Sequence, residues 1–278
     1  MGSPGSTKRN STVKIIRLEP LVIIKIGGNI IDNEEKLSAF LKDFAALNTR
    51  KILVHGGGKL ATQLADQLKV PQQMVEGRRI TNAETLKIVT MVYAGYINKT
   101  IVALLQANGC NALGICGADG NAIQAHKRSG TTIDYGFAGD IDLLNPSLFY
   151  NLVRQGFSLV IAPITHDTKG QLLNTNADTI AQEIAKALSS QFDVQLIYSF
   201  EKAGVLLNAN DDSSIITEMN AASYKELREK NLVFAGMIPK LDNAFVALGG
   251  GVKKVIIGKA ENLHDLVKGH SGTSIVND

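Results

Sequence analysis

The chain has 278 residues, 45% of them hydrophobic and 20% charged, with a net charge of +3. That is the composition of a globular protein of one large or two smaller domains. A balance so near neutral, with no Lys/Arg run or aromatic-basic interleaving, argues against a nucleic-acid partner, and no uninterrupted apolar run reaches membrane-spanning length.

Met1 to Thr7 is rich in Gly, Ser and Pro and reads as an expression-tag remnant, so residues 1–20 are expected to be a flexible lead-in. The apolar residues Val13, Ile15, Ile16 and Leu18 suggest a strand there rather than an amphipathic helix. No secretory h-region opens the chain, and Cys110 and Cys116 form neither a disulfide framework nor a zinc site. A cytoplasmic protein is the expectation.

Leu21-Val-Ile-Ile-Lys25-Ile is five-sixths aliphatic and mostly β-branched, the pattern of a strand buried on both faces. Lys25 inside it needs a negative partner, because an unpaired buried ammonium is costly. Gly27 and Gly28 follow and let backbone or ligand approach closely. Taken alone, the stretch fits a snorkelling lysine before a plain turn slightly better than a phosphate site.

Asn33 can cap a helix carrying Leu37, Phe40, Leu41, Phe44 and Leu47 on one face. Lys51 to Val54 is a short strand ending in His55-Gly56-Gly57-Gly58, and a helix with Leu60, Leu64 and Leu68 on one face follows. Three glycines between strand and helix exceed what a turn needs and expose N–H groups to an anion. Gly56-x-Gly58-x-x-Ala61 also fits a loose dinucleotide fingerprint, so an NAD(P)-dependent oxidoreductase is an alternative. Against it, the acid at the right distance is Glu76, which ends no predicted strand, and Lys25 is left without a task. Lys59-Leu60 excludes an ordinary P-loop.

Arg78 and Arg79 fall in a loop between helices, where they are either solvated or a clamp for a carboxylate. Thr81-Asn-Ala-Glu84 has capping-box spacing and opens a long helix towards Gln106, closed by Asn108-Gly109. A strand over 111–116, a polar region to Gly139 that could form a hairpin, and a helix from Pro146 to Gln155 come next. After a strand over 157–163, a loop leads to Asn174-Thr-Asn176-Ala-Asp178 at the head of a helix running to Leu188. One of these polar residues can cap, and three at alternate positions can converge on a ligand.

A strand over 194–198, a turn at Ala203-Gly204, helices over 221–229 and from Pro239-Lys240 to Leu248, a strand over 254–257 and a helix over 261–267 complete the chain. Lys240 sits at a helix start, where the dipole disfavours a cation by about 0.3–1 kcal/mol, which hints at an anionic partner. Alternating strands and helices predict an α/β fold, one mostly parallel sheet covered on both faces.

Lys25-Ile-Gly-Gly28, His55-Gly-Gly-Gly58, Gly77-Arg-Arg79-Ile-Thr81, Asn174-Thr-Asn176-Ala-Asp178 and Gly236-Met-Ile-Pro-Lys240 occur in the order seen in N-acetylglutamate kinases. From Leu21 to its end the chain resembles this branch of the amino acid kinase family. The resemblance implies an αβα sandwich in which an amino-terminal lobe, about 21–170, binds acylglutamate and a carboxy-terminal lobe, about 171–278, binds ATP. It implies transfer of phosphate from ATP to the γ-carboxylate of an N-acylglutamate, with Mg2+ carried by the nucleotide and no metal held by the chain. Lys25 and Lys240 would flank the phosphoryl group and Asp178 would hold both lysines. Gly57 and Gly58 would offer N–H groups, while Arg79 and Asn174 would take the α-carboxylate. Gly27, Gly28, Asn176, Glu201, Lys202, Gly204 and Leu206 would border the nucleotide.

Ser199-Phe-Glu201-Lys-Ala-Gly204 departs from the Ser/Thr-Asp-Val-x-Gly turn of relatives, and the segment before Leu21 offers no clear amphipathic helix of the kind that links dimers in arginine-inhibited hexameric relatives. A homodimer with small-molecule substrates is therefore the expected form. A non-catalytic amino-acid sensor on the same fold is the third reading.

Overall fold

The computed structural model describes residues 18–75, 77–208, 211–230, 232–233 and 237–277. Glu76, Gly236 and the predicted strand before Leu18 lie outside the described residues. An eight-stranded sheet forms the centre. From edge to edge its strands are Glu218–Met219, Thr273–Ile275, Lys254–Lys259, Asp193–Phe200, Pro20–Ile26, Arg50–His55, Ser158–Ile161 and Ala112–Ile115. All neighbours are parallel except Thr273–Ile275 against Lys254–Lys259.

The aliphatic run beginning at Leu21 is buried from Leu21 to Ile26 because helices cover both faces. One apolar layer joins the sheet to Ala177–Leu188 and Ile238–Gly249, the other to Glu34–Ala46 and the long helix after Ala83. The Lys25 strand sits mid-sheet, between the next strand in the chain and one that begins only at Asp193. Such a reversal of strand order opens a crevice at the carboxyl ends of the strands, the usual place for a ligand in an open α/β sheet.

Asn33 caps Glu34–Ala46, its side chain accepting from the Lys36 N–H at 2.9 Å. The cap of the long helix is Asn82, which accepts from the Thr85 N–H, and not Thr81 as the capping-box spacing suggested. Thr81 is drawn into a bridge with Gly136, and its N–H donates to the Tyr135 carbonyl. Seven residues, Met91–Ile97, form a π-helical segment between Ala83–Thr90 and Asn98–Ala107.

The whole helix, Ala83–Ala107, is long and apolar enough to cross a membrane, contrary to the reading of uninterrupted runs. Its Ile88, Val89, Val92, Ile97, Ile101 and Leu105 are nonetheless buried in the core, as in the central helix of a globular fold.

Gly58–Gln67 turns a face different from the predicted one inward. Ala61 and Ala65 are fully buried, while Leu60 and Leu64 are half-buried and Leu68 is exposed. Arg78 and Arg79 lie on a strand, Arg78–Ile80, antiparallel to Gln73–Val75, and not in a loop. The polar region does form a hairpin, Ile123–Lys127 with Ala138–Leu144. With Ile164–His166 and Leu172–Thr175 it closes a small barrel, so Asn174 sits on a strand where a loop was expected.

Candidate active site

The crevice gathers three charged side chains from three elements. Lys25 arrives at the end of the central strand, Asp178 in the first turn of Ala177–Leu188, and Lys240 in the first turn of Ile238–Gly249. The Asp178 carboxylate takes Lys25 Nζ on one oxygen at 2.7 Å and Lys240 Nζ on the other at 2.9 Å. Asn176 caps that helix by accepting from the Asp178 and Thr179 N–H groups, which fixes where Asp178 points. The Tyr198 hydroxyl braces the same turn by donating to the Asp178 carbonyl at 3.2 Å.

Burial pushes the Asp178 carboxyl up, but the two ammonium groups outweigh it and hold the group down at about 2. Burial, with the neighbouring Lys240 charge, lowers Lys25 despite the pull of Asp178. Two cations on one anion leave a net positive charge in a nearly dry crevice, and only a further anion offsets it. Gly27 lies beside the cluster, its Cβ position 4.0 Å from Lys25 Nζ.

At the end of the neighbouring strand, Gly57 caps and Gly58 begins Gly58–Gln67, whose first-turn N–H groups have no intrahelical acceptor. Gly57 has φ +147, and a Cβ there would lie 2.2 Å from Ile97 Cδ1 and 3.2 Å from the Tyr93 ring, so only glycine fits. Gly28 is also confined, with a Cβ falling 2.9 Å from an Asp32 carboxylate oxygen.

His55 is fully buried just before this loop, and burial lowers its imidazole from 6.5 to about 4 although the Gly56 carbonyl favours the charged form. The unfolded chain therefore binds a proton near pH 6.5 that the native chain refuses until about pH 4. Stability present above pH 6.5 is lost on acidification across that window, by about 1.4 kcal/mol per unit for one group. Denaturant titrations at pH 7 and pH 5 should thus differ by about 2 kcal/mol through His55, with much of the difference absent in His55→Gln. Equal pH dependence in the two proteins would contradict the buried neutral ring.

Arg79 is buried against the same loop. Its guanidinium donates to the Gly58 carbonyl and the Thr62 hydroxyl, both at 2.8 Å, and to the Gln72 side-chain carbonyl. Asn174 donates to the Thr81 hydroxyl at 3.0 Å, which joins the barrel to the Arg79 hairpin. Glu201 is exposed and Lys202 half-buried in the turn after Asp193–Phe200. Gly204 packs under Thr273, where a Cβ would meet the hydroxyl at 2.6 Å. Leu206 is buried in the ribbon that Val205–Leu206 makes with Ile215–Ile216.

Sequence reasoning missed Tyr93, Ile97 and Asn98, which pack beneath the glycine loop. The signal was an asparagine on an apolar helix face between Ile97 and Ile101.

The sequence matches the amino acid kinase family over residues 20–259. It is 53% identical over 262 residues to a Cytophaga hutchinsonii protein named acetylglutamate kinase, covering 93% of this chain and 99% of that one. A Parabacteroides distasonis protein of the same name is 54% identical over 247 residues, covering 89% and 97%. Among solved structures, one from Streptococcus mutans UA159 superposes with a TM-score of 0.77 at 25% identity, covering 93% and 99%. That family match and the relatives 53% and 54% identical over 93% and 89% of the chain place it in the amino acid kinase family.

Proposed function

We propose that this protein transfers the γ-phosphoryl group of ATP to the γ-carboxylate of N-acetylglutamate or a related N-acylglutamate, the second step of arginine biosynthesis. The observation that carries the reading is the Lys25–Asp178–Lys240 cluster, two cations on one buried carboxylate, beside the strand that leads into Gly57 and Gly58. The names of relatives more than 50% identical support it.

A γ-carboxylate has a reference pKa of about 4.3 and is already ionised at neutral pH, so the reaction needs no general base. It needs relief from repulsion between an anionic nucleophile and a polyanionic donor held in line. In this proposal Lys25 and Lys240 flank the phosphoryl group in flight, and Asp178 holds both ammonium groups in place. Gly57 and Gly58 donate to the transferring oxygens, and Gly27 and Gly28 line the phosphate path.

Arg79, from the amino-terminal lobe, and Asn174, just past its end, take the α-carboxylate. Asn176, Glu201, Lys202, Gly204 and Leu206 border the nucleotide in the carboxy-terminal lobe. Among the described residues no three His, Cys, Asp or Glu side chains converge on a metal position. Mg2+ would enter on ATP and neutralise phosphate charge.

A coupled ADP-release assay with N-acetylglutamate and N-succinylglutamate side by side tests the reading. ADP release with one of them and no nicotinamide is expected. Nicotinamide-dependent turnover would return the glycine loop to the dinucleotide reading, and binding without turnover would make the protein a sensor.

Arg79→Ala should raise the Michaelis constant for the acylglutamate roughly 30-fold, the equivalent of about 2 kcal/mol for a lost charge-assisted bond. An effect confined to ATP would reassign the arginine.

We also propose a cytoplasmic homodimer. A groove of about 510 Å³ between Gly58–Gln67 and the π-helical segment is lined by Leu60, Leu64, Met91, Val92 and Tyr96, with Gln63 and Gln67. Met91 is 53% and Tyr96 64% exposed, and Leu68 and Met74 also stand out of the surface. Apolar side chains so clustered favour a self-complementary contact with a second copy. Sedimentation should give a dimer that Tyr96→Glu converts to monomer, whereas a monomeric parent would contradict the assignment.

A further inference from the structure

The long helix passes beneath the glycine loop at its π-helical segment, and the first residue beyond that segment is Asn98, only 1% exposed. A carboxamide so buried must find partners, and this one has them on both sides. Its Nδ2 lies 3.0 Å from the Val160 carbonyl and 3.2 Å from His55 Nε2. Its Oδ1 accepts from Lys99 Nζ at 3.0 Å, and that ammonium also donates to the Gly114 carbonyl at 2.8 Å. A Cβ at position 114 would fall 2.1 Å from Asn98 Oδ1, so the amide takes this seat only because residue 114 is glycine.

The proton positions follow by elimination. A carbonyl can only accept and an ammonium can only donate, which fixes the two ends of the amide. The second Nδ2 hydrogen then points at His55 Nε2, which must be the accepting nitrogen. The proton of the neutral ring is left on Nδ1, 2.8 Å from the Gly56 carbonyl.

We propose that Asn98 is a positioning residue that locks His55 in its Nδ1–H tautomer, so that the ring holds the Gly56–Gly57 peptide with its N–H turned to the phosphoryl site. A trans peptide is planar with C=O and N–H opposed, so a carbonyl drawn towards the buried ring sends the Gly57 N–H the other way. The hydrogen bond on the carbonyl also polarises the amide and strengthens its N–H as a donor. His55 thus braces the glycine loop and exchanges no proton in the reaction. The tautomer lock stands on geometry alone, while its catalytic consequence rests on the kinase reading.

Nitrogen-15 NMR of the full chain labelled at histidine tests the lock without any variant. One buried ring protonated at Nδ1 only, at neutral pH, is expected. An Nε2–H ring, or an imidazolium, overturns the proposal. Asn98→Asp keeps the shape but replaces both N–H donors with an acceptor, which draws the ring proton to Nε2 and sets a lone pair against the Gly56 carbonyl.

That variant should show the switched ring signal, with kcat reduced roughly tenfold or more and the Michaelis constant for ATP within about twofold. A switched tautomer with unchanged kcat overturns the positioning role. If Asn98→Asp does not fold, the wild-type spectrum still decides the lock. A wild type with the expected ring and no kinase turnover would overturn the kinase reading and leave the lock standing.

Discussion

Asp178→Asn is expected to abolish measurable phosphoryl transfer and to cost about 3–5 kcal/mol of folding stability. The wild-type carboxylate neutralises Lys25, which is 8% exposed, and Lys240 beside it. An amide of the same shape leaves two ammonium groups facing each other in a crevice that excludes most water. Their repulsion and the unmet desolvation of Lys25 then act against folding. The double variant Lys25→Met/Asp178→Leu removes charge from both sides and should recover much of the stability with none of the activity. Urea denaturation and turnover on the same preparations check both halves. A single Asp178→Asn variant within about 1 kcal/mol of wild type would show that the cluster is not the buried charge centre described here.

Lys240→Ala is expected to separate catalysis from stability in the opposite way. It leaves Lys25 paired with Asp178 and removes a cation that sits against the dipole of its own helix. Stability should therefore change by less than about 1 kcal/mol. Turnover should fall by roughly 10²–10³-fold, because the lost ammonium opposes charge that develops on the moving phosphoryl group. The Michaelis constants for both substrates should move only a few-fold. Unchanged turnover would remove Lys240 from the mechanism. Together the two variants distinguish a group that holds the site together from one that acts on the reaction.

The parts of the fold written in local pattern were legible in the sequence. The Lys25 strand, the Asn33 cap and the triple-glycine turn follow from β-branching, capping chemistry and glycine count, and the structure has all three. What escaped was set by partners far along the chain. Thr81 has the better capping spacing, yet its bridge to Gly136 leaves Asn82 to cap. The Leu60–Leu64–Leu68 stripe looked like a core face, but after the close approach of Gly57 to Tyr93 and Ile97 the helix turns Ala61 and Ala65 inward instead. The Arg79 strand exists through pairing with Gln73–Val75, a short ribbon that periodicity over three residues does not reveal.

The site divides in the same way. Lys25 stood out as a charge in an apolar run, Lys240 as a cation at the disfavoured helix end, and Asp178 as one of three polar residues where a cap needs one. Asn98 and Tyr93 showed none beyond an interrupted apolar face, since their partners, His55 and Arg79, lie on other elements.

The central claim is that the lysine pair serves transfer of phosphate to a side-chain carboxylate. Trapping with hydroxylamine tests it most directly, because an acyl phosphate reacts to a hydroxamate whereas a phosphate ester or free phosphate does not. With ATP, Mg2+ and the acylglutamate that turns over, the wild type should form hydroxamate in step with ADP, and N-acetylglutamine should give none. ADP release without hydroxamate, or hydroxamate formed equally by Lys240→Ala, would contradict the account.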